Sequence, residues 1–146
     1  IGTLQIPITD IETDTDLLKK HTWSLGRTIK IFCLIDFFAS FFYLYYAAPA
    51  ILQILLIFLG YIGASRYNSG YMIGYIIYPI LSITGCSILL YYYHSTIQII
   101  FSILSILIDL YIGWLACKFI NNLNLLPNTA ILDLKSGYHP IFIILK

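Results

Sequence analysis

Apolar positions along this chain run together in four long blocks, at about 31–48, 50–65, 71–92 and 96–117. A helix needs roughly 17–25 apolar residues to cross about 30 Å of hydrocarbon. The pattern therefore predicts four transmembrane helices, the second of them short enough to thin the bilayer or stand upright. Pro49 falls between the first two blocks, where its fixed φ suits the first turn of a new helix and predicts a tight hairpin. The polar turn "RYNSG" separates blocks two and three, with Gly70 expected to break the helix. Between blocks three and four, "YYYHST" offers Ser95 or Thr96 as an N-cap. Pro79 predicts a kink within the third helix.

The flanks are of a different kind. Residues 1–28 form a polar, acidic tail without the layout of a signal peptide, and 29–118 hold the helical bundle. Residues 119–146, broken by Pro127, Gly137 and Pro140, carry apolar bursts too short to span. This tail is expected to be interfacial or docked on a partner, and not a fifth helix. The first residue is Ile1, which suggests a processed or truncated chain.

Charge fixes the orientation that the pattern leaves open. Lys19, Lys20, Arg27 and Lys30 precede the first block, Arg66 lies between the second and third, and Lys118, Lys135 and Lys146 follow the fourth. Threaded through four spans, every cation falls on one side. The positive-inside rule makes that side, with both termini, cytoplasmic or its equivalent. Tyr43, Tyr45 and Tyr46, with Tyr91, Tyr92 and Tyr93, would then belt the opposite interface, and Trp23 and Trp114 the cytoplasmic one. Composition agrees: 60% of the chain is hydrophobic, 10% is charged and the mean hydropathy is +0.86. Soluble domains carry roughly 25% charged residues. The chain contains no Val and is rich in Ile, which hints at an AT-rich genome. The reading is an all-α integral membrane protein, a four-helix bundle whose partners are the bilayer and other membrane subunits, with no nucleic acid among them.

Two carboxylates interrupt this pattern, Asp36 in the first block and Asp109 in the fourth. An acid at the centre of a span costs roughly 2.5–3.5 kcal/mol, so both should face the bundle interior. Gln98, Ser102, Ser105, Asp109 and Gly113 follow helical steps of four and three, as do Cys33, Asp36, Ser40, Tyr43 and Ala47. Gly60 with Ala64, and Gly70 with Gly74, have the small-xxx-small spacing that lets helices approach closely. Three roles stand open for the acids: interhelical hydrogen bonding, pairing with a base on another subunit, or a cation or proton path with Gln98 and the serines.

Catalysis finds no support. The contexts "LIDFF" and "LIDLY" lack the Tyr-Asp and Gly-x-Gly-Asp signatures of intramembrane aspartyl proteases. His21, His94 and His139 show no ligand spacing, and Cys33, Cys86 and Cys117 form no CxxC, so neither metal, cofactor nor disulfide is expected. A potassium filter would need a sequence like TVGYG, which does not occur. "DTDLL" (14–18) and "YHPI" (138–141) fit short sorting patterns.

The layout "RTIKIFCLIDFFASFFYL…GYIGASRYNSGYMIGYIIYPIL" resembles small four-span proteins of unknown function encoded by protists and large DNA viruses. The shared features are the basic lead-in, the Ile-Asp pair and the Gly-Ala-x-x-Tyr-Asn turn. The resemblance implies a multi-pass fold and no activity. The expected role is a small structural or accessory subunit of a membrane assembly, in a virion or organellar membrane. The alternative is a small proton or cation channel using both aspartates.

Overall fold

The computed structural model describes residues 8–43, 50–92 and 96–138. All regular structure within them is helical: α1 (Ile8–Tyr43), α2 (Ala50–Arg66), α3 (Ser69–Tyr92), α4 (Thr96–Leu125) and α5 (Asn128–Lys135). The Pro49 hairpin, Tyr45, Tyr46, Tyr93, Ser95 and Lys146 lie outside the described residues.

The four long helices form a closed ring in which α1 packs on α2, α2 on α3, α3 on α4 and α4 back on α1. Neighbours run antiparallel. Along α1 and α4, His21 meets Asn122 and Phe32 meets Tyr111. Along α3 and α4, Pro79 lies by Gly113 and Ser82 bonds Asp109. The start of α1, the end of α2, the start of α3 and the end of α4 consequently share one end of the ring, and the described Lys and Arg side chains gather there.

The α2–α3 turn shows how the chain reverses. Tyr67 adopts a left-handed φ of 47°, and the Asn68 N–H donates to the Gly63 carbonyl at 3.0 Å. This is the six-to-one bond of a Schellman motif, with tyrosine where glycine is usual. Burial of the Tyr67 ring against Phe119 offsets the backbone strain; the ring centroids lie 6.1 Å apart. Asn68 then caps α3 by accepting the Gly70 N–H at 2.9 Å. The expectation for Gly70 is corrected on both counts. Tyr67 ends the preceding helix, and Gly70 lies exposed in the first turn of α3, where it packs against no other helix.

Two helices are long and apolar enough to cross a membrane, Ser69–Tyr92 and Ile99–Leu125, and α2 is a shorter apolar helix. Only 18% and 28% of their apolar windows are buried inside the protein. The core helix of a water-soluble protein would be mostly covered. Here Phe38, Ile51, Phe58, Ile80, Phe101 and Leu107 all point outward. Outward hydroxyls are satisfied within their own helices: Thr84 donates to the Ile80 carbonyl and Ser87 to the Ile83 carbonyl, both at 2.8 Å. That bond satisfies each hydroxyl within its own helix without a partner from another element.

Both flanking tails contain helix. Residues 8–30 continue α1 as one helix, and α4 runs on to Leu125. Pro127 lacks an N–H and so starts rather than continues a helix. The first α5 bond runs from the Ile131 N–H to the Pro127 carbonyl at 3.2 Å. This fifth helix, unexpected from the sequence, is eight residues long, far too short to span. It docks on α1, burying Ala130 and Leu134, while Lys19 reaches Asp133 at 3.2 Å and Asp16 at 3.4 Å. Burial works against the Lys19 charge, but the two carboxylates outweigh it and hold the ammonium above the ordinary lysine range. The Lys19 ammonium also stands 5.1 Å over the Tyr138 ring.

Gly60 is the tightest point of the ring. A Cβ added there would meet Cγ of the Tyr75 ring at 2.6 Å, whereas one added at Gly85 meets nothing within 4 Å. Gly60→Ala should therefore cost about 1–3 kcal/mol through overpacking. Gly85→Ala should be neutral or gain up to about 1 kcal/mol in helix propensity. Equilibrium unfolding in mixed detergent micelles measures both, and equal effects would refute the seat.

Candidate functional site

Each long helix sends one stripe inward, and the stripes are more polar than their surroundings. On α1 the stripe carries Cys33, Asp36 and Ser40, with Cys33 and Ser40 buried and Asp36 half-buried. On α4 it carries Ser102, Ser105, Asp109 and Gly113, of which Ser102 and Asp109 are buried. Gln98 belongs to α4, but its side chain, like that of Tyr43, lies outside what is described. On α2 the stripe is Gln53, Ile57, Gly60 and Ala64, each a helical step from the last. Gly74 on α3 meets Leu59 at ordinary contact distance, 3.5 Å from an added Cβ, and Gly113 faces Pro79 at 3.8 Å.

The acids are brought together. Two cation–aromatic pairs mark the same level on α1 and α4: Arg27 stands 5.8 Å over Trp23, and Lys118 stands 4.9 Å over Trp114. Asp36 and Asp109 each lie nine positions inward from these cations. At a rise of 1.5 Å per residue, both sit about 13 Å deeper. Their charges lie within electrostatic reach of one another.

Their hydrogen bonding differs. Asp109 accepts a bond from the Ser82 hydroxyl of α3 at 2.6 Å. Asp36 has one carboxylate oxygen, Oδ2, fully buried and without a partner. The Tyr75 hydroxyl is the other buried polar atom left unpaired among the described residues. It lies against the Cys33 thiol without a hydrogen bond of good geometry.

The residues that complete the site come from α3, and sequence reasoning missed them. Tyr75 and Tyr78 stack at 5.8 Å with an interplanar angle of 9°, and their exposures are 0% and 7%. Tyr78 lies within electrostatic reach of both acids. Tyr71, Tyr75, Tyr78 and Ser82 follow steps of four, three and four, a stripe as regular as that on α4. The signal was in the sequence, hidden by the number of tyrosines that suit a membrane interface.

This arrangement can bond helices together and can hold a proton. No three His, Cys, Asp or Glu side chains come together among the described residues. No protein-family model, curated protein or solved structure matches the chain.

The Ser82–Asp109 bond is open to a double-mutant cycle. Ser82→Ala and Asp109→Ala, each of which removes the bond, should couple by about 0.6 kcal/mol, and by no more than about 1.7, the range for interhelical bonds in membranes. Asp109→Leu should lose more stability than Asp109→Asn, because the amide still accepts from Ser82. Unfolding in mixed micelles measures this, and a leucine variant as stable as the asparagine one would show that no such bond holds α3 to α4.

Proposed function

We propose that this chain is a four-span integral membrane protein that serves as a small structural or accessory subunit of a larger membrane assembly, in a virion or organellar membrane. The spans are α2, α3, α4 and the apolar second half of α1. Both termini and the Tyr67–Asn68 turn lie on the cation-rich, cytoplasmic side, as positive-inside placement favours. α2, at 17 residues and so about 25 Å, crosses as a short span.

The observation that carries the subunit reading is the filled interior. The stacked rings of Tyr75 and Tyr78 occupy the space next to the acids, and Tyr75 is pressed into the notch at Gly60. Asp109 thus acts through Ser82 as an interhelical bond within a packed bundle. Outside the spans, α5 packs on the first half of α1 and buries Ala130 and Leu134. What remains is a broad apolar surface, suited to lipid and to the helices of other subunits.

One observation favours a second reading, a proton or cation path. The unpaired Oδ2 of Asp36 lies near a second acid and near the unpaired hydroxyl of Tyr75. The two readings part at Asp36→Asn and Asp109→Asn. A subunit whose acids serve packing should show no flux in liposomes and should assemble normally with either asparagine. Wild-type flux that vanishes in a well-folded asparagine variant would establish the path instead.

Topology is tested separately. In a background without native cysteines, Lys20→Cys and Ser136→Cys should label from the same side of the membrane and Tyr92→Cys only from the other. The protein should also remain in the membrane after carbonate washing. Labelling of positions 20 and 136 from opposite sides would overturn the four-span arrangement.

A further inference from the structure

A cleft of about 340 Å³ opens at the cation-rich end, lined by Ser65, Arg66, Asn68, Tyr71 and Lys135. Arg66 closes α2 and Lys135 closes α5, so 69 positions of sequence separate two cations that share one wall. Among the described residues neither makes an ion pair and no carboxylate lines the cleft. Asp133, the nearest acid along the chain to Lys135, is held by Lys19 at 3.2 Å.

The remaining lining groups also donate. Asn68 uses its side-chain oxygen to cap α3 through the Gly70 N–H, which leaves its amide N–H₂ to turn toward a ligand. Ser65 and Tyr71 add hydroxyls, and the first turn of α3 brings the positive end of that helix to the same place. Two cations, an amide donor and two hydroxyls with no acid match the chemistry of a phosphate group. The site lies where α2 ends and α3 begins, and the outer faces of these helices, at Phe58 and Ile73, are bare apolar surface. A ligand with a phosphate head and hydrocarbon tails satisfies both halves.

The geometry points to a binding site for the phosphate headgroup of an anionic phospholipid, held by Arg66 and Lys135 with its acyl chains along α2 and α3. The inference rests on the membrane reading above. Basic pockets at the cytoplasmic ends of membrane helices bind such headgroups, and each basic residue near the surface strengthens the attraction. The site gives the subunit a preference for the lipid that surrounds it, on the face where α5 is docked.

The test uses the full chain in mixed micelles of phosphatidylcholine with phosphatidate or phosphatidylglycerol, with retained lipid counted by native mass spectrometry. Wild type should retain one anionic lipid about tenfold over phosphatidylcholine. Arg66→Gln with Lys135→Gln should reduce the preference to about twofold or less. Arg27→Gln with Lys30→Gln, an equal change of charge on α1, should keep it. No anionic preference in wild type, or an undiminished one in the Arg66/Lys135 variant, would overturn the proposal. Equal loss in both double variants would overturn it too, by showing a general charge effect. Inorganic phosphate in the millimolar range should displace the lipid poorly; displacement as effective as that by added phosphatidate would assign the cleft to free phosphate. Carbonate washing reports on the membrane reading itself, so loss of lipid preference in a protein that stays membrane-embedded counts against this site alone.

Discussion

Asp109 accepts a 2.6 Å hydrogen bond from Ser82 in the middle of helices whose outward faces are Ile, Leu and Phe. In the membrane reading proposed above, hydrocarbon would offer an acid no alternative partner, which would keep these side chains of α3 and α4 turned toward each other. The same condition acts on Asp36, which is drawn inward although one of its oxygens finds no partner. Enclosing both acids requires α1 to close against α4, and this closure turns a row of helices into a ring. The exposed apolar residues impose no such order. The polar minority decides the arrangement.

Closure in turn sets what can fill the centre. With α1 and α4 brought together, α2 and α3 must approach closely enough to seat the Tyr75 ring over Gly60. The Tyr75–Tyr78 stack fills the room beside the acids. At the cation-rich end the ring continues beyond the apolar belt. Thr22 and Leu25 of α1 are buried there with Phe119, Asn122 and Leu123 of α4, and Ala130 and Leu134 of α5 complete a small cap. Thr22 returns its hydroxyl to the Leu18 carbonyl at 2.7 Å, and His21 ties to Asn122 at 3.0 Å. The cap holds Lys135 beside Arg66, so the packing of one end and the chemistry of its cleft have a common origin.

The helices themselves were legible in the sequence, because a long apolar block bounds a helix closely. The ends of α2, α3 and α4 nearest the polar turns fall within a few residues of the apolar blocks, except where α4 runs on past Cys117. The inward stripes on α1 and α4 were visible because two acids and several serines stand out against Ile and Leu. The α3 stripe was not, since tyrosine suits both an interface and a core, and only contact with Gly60 and the acids separates the two. Gly70 misled because the small-xxx-small spacing ignores helix ends, and a glycine in a first turn meets no neighbouring helix. Tyr67 was equally hidden: a bulky residue stops α2 in a left-handed turn only because Phe119, far along the chain, receives its ring. The α5 dock and the Arg66–Lys135 cleft depend on pairings that no local pattern carries.

Closure of α1 on α4 is therefore the relation to measure. Phe32 and Tyr111 meet edge to face with ring centroids 6.0 Å apart, while Leu34 points outward. In a cysteine-free background in native membranes, Phe32→Cys with Tyr111→Cys should be joined by a short bifunctional thiol reagent. Leu34→Cys with Tyr111→Cys should not. Cross-linking of the 34–111 pair in preference to the 32–111 pair, or of neither while each single cysteine reacts, would mean that the ring is open and the acids are not enclosed.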